Sequence, residues 1–277
     1  MWRESEAFMM NKIIQIIIKN KSILLPVFIL QICGIITFAT MNTKELYGKW
    51  DHLFYFWRYG AFSLYGLIGG ILCCFIPIEK LDRFFNKTVK RLIIVFAALA
   101  AVIFLADLFF YYSDGLVLKQ RVLAWLDPLA YKYRNGYWAF RNQQIREAAQ
   151  LLGGEDMVFI KSFAHDMVLG YIIGTFGWLK FGLVGFLALF LSYRMLKQVL
   201  CMNRPSYRFM ATGIWIYITA SFLWNIAMVF NWMPLGRSHF PFVSYARFYL
   251  IFDWCILGVF MRLTSIEGQL EAAKTPL

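Results

Sequence analysis

Apolar runs about 20 residues long, separated by short basic connections, constrain this chain more than any other feature. A helix needs about 20 mostly apolar residues to cross the roughly 30 Å hydrocarbon core of a bilayer. Six segments have that length: Ser22–Thr40, Leu53–Ile78, Leu92–Tyr112, Met167–Leu191, Phe209–Phe230 and Phe240–Met261. The 277 residues are 60% hydrophobic and 16% charged, where a soluble domain has about half and about a quarter. The sequence therefore predicts an all-α polytopic bundle of six membrane helices, a single membrane domain over residues 1–277. The formal charge of +12 does not point to nucleic acid, because the few charges lie among apolar runs; no nucleic-acid partner is expected.

Lys and Arg in short loops orient such a chain, being enriched on the cytoplasmic side. Arg3, Lys12, Lys19 and Lys21 precede the first span, five basic residues follow the second and four follow the fourth. Both termini are therefore expected in the cytoplasm of a bacterial cell, in a multi-pass protein of its membrane. Phe8–Ile18 reads as a short helix lying on that membrane, and the first span reads as a retained anchor, since no small-residue cleavage site follows it. The one long connection, 113–164, then faces outward with seven basic and five acidic residues. A connection of that length is more often functional than idle. The five cysteines lie in or beside apolar runs and form neither a disulfide framework nor a CxxC pair.

Ionisable groups inside a span are costly and need partners or a purpose. Asp107, Lys180, Arg247 and Asp253 fall within predicted spans, and internal pairing, for example of Lys180 with Asp253, is the simplest reading of the last three. Asp166 stands where the long outer loop re-enters the membrane, beside His165. Partial desolvation there makes a carboxylate a better general base, although Asp is also a common residue at a helix start. His52, His165 and His239 all fall on the outer side, but none shares the spacing of a ligand pair, so no metal site is expected.

Several motifs resemble one family. Asn225-Ile226-Ala227-Met228, then Met233-Pro234, then Phe240-Pro241-Phe242-Val243-Ser244-Tyr245 is similar to the NIxM, LP and LPFxSYGG elements of the SEDS family (shape, elongation, division and sporulation; FtsW/RodA/SpoVE-type proteins). Asp166 through Gly177 resembles that family's TDFIFxxxxEExG. Arg121 through Pro128, Gly136-Tyr137 and Gln143-Gln144 resemble its outer-loop elements, and Tyr55-Phe56 with Arg58 resembles the start of its second span. The chain reads as a member shortened by about four spans, with Ala246-Arg247 where the family has a glycine pair.

The resemblance implies a glycosyltransferase that polymerises lipid II into glycan strands in cell division or shape maintenance. By resemblance, Asp166 is catalytic: it deprotonates or orients the acceptor hydroxyl that attacks the lipid-linked donor. The leaving undecaprenyl pyrophosphate needs cations; Arg121 and Arg58 are candidates by motif, Arg134 and Arg237 by position. Asn225, Pro234, Pro241, Ser244 and Tyr245 are the remaining motif positions. The cofactor is left open, a divalent cation being compatible with the chemistry, and a class B penicillin-binding protein is the expected partner. Two other readings stand beside this one: a non-catalytic scaffold of a division or elongation complex, and a carrier of lipid-linked intermediates.

Overall fold

A computed structural model describes residues 13–41, 54–76, 78, 117–131, 133, 136–153, 165–234 and 238–274. Every regular element among them is helical: α1 (13–19), α2 (Lys21–Thr40), α3 (Phe54–Cys73), α4 (Val117–Leu126), α5 (Tyr137–Ala148), α6 (Val168–Leu200), α7 (Pro205–Val229) and α8 (Arg247–Lys274). Four of them, α2, α6, α7 and the Arg247–Ile266 part of α8, are long and apolar enough to cross a membrane. The architecture is a helical membrane bundle. Helix α3 occupies the second predicted span, while the third, with Asp107, lies outside the described residues, as does His52.

Three elements differ from the expectation. The last span begins at Arg247 rather than Phe240, because 240–246 is a turn, buried over 240–245; an apolar run does not distinguish a helix from a turn enclosed by protein. Residues 113–164 are not a plain loop, since α4 and α5 lie within them. Lys180 does not meet Asp253: its ammonium donates to Thr37 Oγ1 at 3.2 Å and lies 3.2 Å from the centre of the Phe176 ring.

The chain divides into two compact units. One comprises Met1–Ile76, Ala148–Ile226 and Arg237–Leu277. Its helices meet through small residues, as expected where lipid removes the hydrophobic drive between apolar helices and close packing must hold them. On α3, a Cβ at Gly66 would lie 2.7 Å from the Trp254 ring, and one at Gly70 would lie 2.7 Å from the Trp254 carbonyl oxygen. Across from them, a Cβ at Gly258 of α8 would fall onto the Gly70 backbone. Helix α2, which also packs on α6, brings Gly34 against the Tyr59 ring.

Helix α6 is broken at Gly177 (φ 80°, ψ −175°), a conformation essentially reserved for glycine. The strap 150–153 enters the break. Trp178 and Leu179 donate their backbone N–H groups to the Gln150 and Leu151 carbonyls at 3.0 and 3.1 Å, and Gly153 donates to the Phe176 carbonyl at 3.1 Å. Backbone groups freed by the break are thereby satisfied inside protein, the condition for tolerating a broken helix at membrane depth.

The second unit comprises Pro77–Glu147 and Ala227–Gly236. Here α4 and α5 hold the turn that follows α7. Trp125 Nε1 donates to the Asn231 carbonyl at 2.7 Å, and Asn231 Nδ2 donates to the Ala139 carbonyl at 3.0 Å. Arg146 donates to the Val229 carbonyl and sets its guanidinium 6.0 Å from the Phe230 ring centre. Burial lowers the Arg146 pKa from its ordinary value, opposed by Glu147, but a guanidinium keeps its proton in proteins.

Candidate functional site

The turn 240–246 organises the first unit. Ser244 closes it: its Oγ accepts from the Phe240 N–H at 2.8 Å, and its own N–H donates to the Phe240 carbonyl at 3.0 Å. Tyr59 of α3 donates its hydroxyl to the Phe242 carbonyl at 2.5 Å. Tyr245 is fully buried among rings, with centroids 5.1 Å from Tyr55, 6.3 Å from Phe38 and 5.3 Å from His165. Each aromatic pair of this kind adds about 0.5–1.5 kcal/mol beyond its buried area, so the turn is held from several sides.

Beside the turn lies a cleft of about 770 Å³, lined by residues just before α6 (His165, Asp166), from α7 (Tyr217, Ser221), from the segment before the turn (Ser238, His239), from the end of the turn (Ala246) and from the start of α8 (Arg247 to Tyr249). Asp166 is half-buried there. The N-cap position of α6 is the next residue, Met167, whose side chain makes no capping hydrogen bond.

Behind the cleft wall, Asp253 of α8 is wholly buried. His239 Nε2 lies 3.2 and 3.1 Å from its two carboxylate oxygens, and Tyr217 donates its hydroxyl to Oδ1 at 3.4 Å. The His239 ring stacks on Tyr249, with centroids 4.7 Å apart and planes 22° apart. Arg247 is exposed, its guanidinium 5.8 Å from the Tyr245 ring centre. Its backbone is left-handed, with φ of 26°. The cleft thus combines a carboxylate, a guanidinium, an imidazole backed by a buried carboxylate, and several hydroxyls. Among the described residues, no group of three or more His, Cys, Asp or Glu side chains assembles as a metal site.

The model of the FtsW/RodA/SpoVE family, described as cell cycle proteins, matches residues 88–267. The chain belongs to this family. No curated protein matches it in sequence. Among solved structures it is similar to a chain of a peptidoglycan synthase complex described as coordinating polymerization and crosslinking. That chain is 17% identical with a TM-score of 0.48, over 92% of this chain and 70% of that one.

The family positions separate into different roles. Asn225 is buried in α7 and donates its amide to Ser238 Oγ at 2.9 Å, acting on the cleft wall through that serine. Pro241, Ser244 and Tyr245 build the turn, while Pro234 belongs to the second unit. Of the cations expected by motif or position, Arg58 is exposed on α3 and is not among the lining residues. Arg121 lies on α4, in the second unit, and Arg134 and Arg237 lie outside the described residues. The guanidinium that does line the cleft, Arg247, read in sequence as a residue inside a span. His239 and Asp253 were also legible only as a lone histidine and a membrane charge; the turn between them brings them together.

Proposed function

We propose that this protein is a peptidoglycan glycosyltransferase of the SEDS type, polymerising lipid II with Asp166 as the general base. The observation that carries the reading is that Asp166, the residue matching the family's acidic position, lines a cleft together with a guanidinium, in a chain of this family. The cleft volume falls in the roughly 300–1,000 Å³ range of small-molecule sites. In the reaction, the acceptor sugar hydroxyl gives its proton to the Asp166 carboxylate as its oxygen bonds to the donor's anomeric carbon. The bond from that carbon to the diphosphate oxygen breaks, and its electron pair leaves with the undecaprenyl diphosphate. The cleft then faces the outer side of a bacterial cytoplasmic membrane, and a class B penicillin-binding protein is the fitting partner.

Purified protein, alone and with such a partner, should convert lipid II into polymer, and Asp166→Ala should lose that activity while inserting normally. Polymer from the Asp166→Ala protein at the wild-type rate would remove Asp166 as the base, and no polymer from the wild-type protein under either condition would remove the glycosyltransferase reading. A non-catalytic scaffold is the second reading, favoured by the burial of Pro241, Ser244 and Tyr245, which serve packing rather than the cleft. Full complementation by Asp166→Ala in cells, with no polymer from the wild-type protein, would select it.

A further inference from the structure

We infer that Arg247 and the His239–Asp253 pair together form an anion-binding part of the cleft, suited to the diphosphate of a lipid-linked substrate. The inference rests on the reading above for the kind of diphosphate involved; the charge arrangement is independent of it. Among the charged residues lining the cleft, Asp166 carries negative charge and Arg247 positive charge. A diphosphate needs more than one strong donor, and Asp166 repels it, so the second donor must come from another lining group.

His239 meets that need. Its Nε2 is committed to Asp253, which leaves Nδ1 as the ring's remaining polar atom, and the ring lines the cleft. The Tyr249 stack and the Asp253 contact fix the plane of the imidazole. Nδ1 is thus the ring atom placed to donate to an anion, with the Asp253 carboxylate behind the ring at Nε2. The other titratable groups around it are Tyr217, Tyr249, His165 and Asp166. Tyr217 donates to Asp253, and the Ser238 and Ser221 hydroxyls stand by as neutral donors.

Arg247 supplies a separate observation. It sits in left-handed backbone at φ 26°, which side-chain-bearing residues disfavour and glycine tolerates. Strain of this kind concentrates at binding and catalytic positions. Replacing the arginine by glycine would relax the backbone, yet it would remove a cation placed near Tyr245 at the cleft.

Direct binding tests the site without requiring turnover. Purified protein in detergent is titrated with a short-chain prenyl diphosphate and, separately, with the corresponding monophosphate. The wild-type protein should prefer the diphosphate. Arg247→Gln and His239→Gln should each weaken diphosphate binding by about tenfold or more, and Arg247→Lys should keep most of it. Asp253→Asn, a change in a positioning residue, should weaken diphosphate binding more than monophosphate binding, because it removes the carboxylate that holds the imidazole in place. Arg247 is exposed, so its variants test the idea even if a His239 variant unfolds. Diphosphate binding equal to wild type in Arg247→Gln, or no preference for diphosphate over monophosphate, would overturn the inference. Asp166→Asn separates the two ideas: polymerisation surviving in that variant defeats Asp166 as the base and leaves the anion site standing, while diphosphate binding without any polymer from the wild-type protein defeats the glycosyltransferase reading alone.

Discussion

Asn225 donates its side-chain amide to Ser238 Oγ at 2.9 Å, so a family motif residue reaches the cleft through one intermediary. The same amide lies 3.4 Å from the Ser221 carbonyl, tying Ser238 to α7. Both contacts depend on a donor that neither a carboxylate nor a methyl group supplies.

Asn225→Ala should therefore lower stability by about 1–2 kcal/mol, the loss expected for a buried hydrogen bond. Asn225→Asp should be worse, because it removes the donor and places a charge at a site only 1% exposed. Thermal unfolding in detergent checks both. A polymerisation assay should show a larger loss of rate than of stability, since Ser238 lines the cleft.

The His239–Asp253 pair should show strong coupling. Removing the imidazole alone strands a buried carboxylate, a change that costs about 3–5 kcal/mol for buried pairs. Replacing both residues by leucine removes the charge together with its partner and should recover most of that loss. A double-mutant cycle on unfolding midpoints tests this. Additive losses would mean that the pair does not act as a unit. The double-leucine protein should remain folded and fail to bind diphosphate.

Arg247→Gly sets backbone strain against function. Holding a side chain in the left-handed region costs about 1–2 kcal/mol, a cost that glycine avoids, while glycine's extra chain entropy takes back about 0.5–1 kcal/mol. The variant should thus be as stable as wild type or about 1 kcal/mol more stable, with reduced activity. A clear drop in unfolding midpoint would show that the arginine stabilises its surroundings more than its backbone strains them.

Glycines of α6 should respond oppositely to alanine. At Gly177 a Cβ would lie 2.5, 2.8 and 2.9 Å from the Gln150, Leu151 and Gly153 carbonyl oxygens, in backbone at φ 80°. The strap cannot yield without losing its hydrogen bonds to α6, so Gly177→Ala should cost about 3 kcal/mol or more, combining backbone strain with overpacking. Gly185 meets nothing within 4 Å, and Gly185→Ala should be neutral or stabilise by up to about 1 kcal/mol. Unfolding midpoints of the two variants, compared side by side, decide the matter.

By itself the sequence determined the class of molecule and the places of its long helices. Lys21–Thr40, Val168–Leu200 and Pro205–Val229 lie where apolar runs predict them, because crossing hydrocarbon forces every backbone group into a helix whatever its neighbours do. It also showed the family through the Asn225 to Tyr245 motif, since a family pattern is written in residue type and spacing. Only the tertiary structure decided that Phe240–Ala246 is a turn, that α6 breaks at Gly177, and that Lys180 meets Thr37 and Phe176. These outcomes depend on which groups arrive to satisfy a carbonyl or a charge, and those groups are distant in the chain. For the same reason Asp253 became the partner of His239, and Arg247 a residue of the cleft, once the enclosed turn set the start of α8.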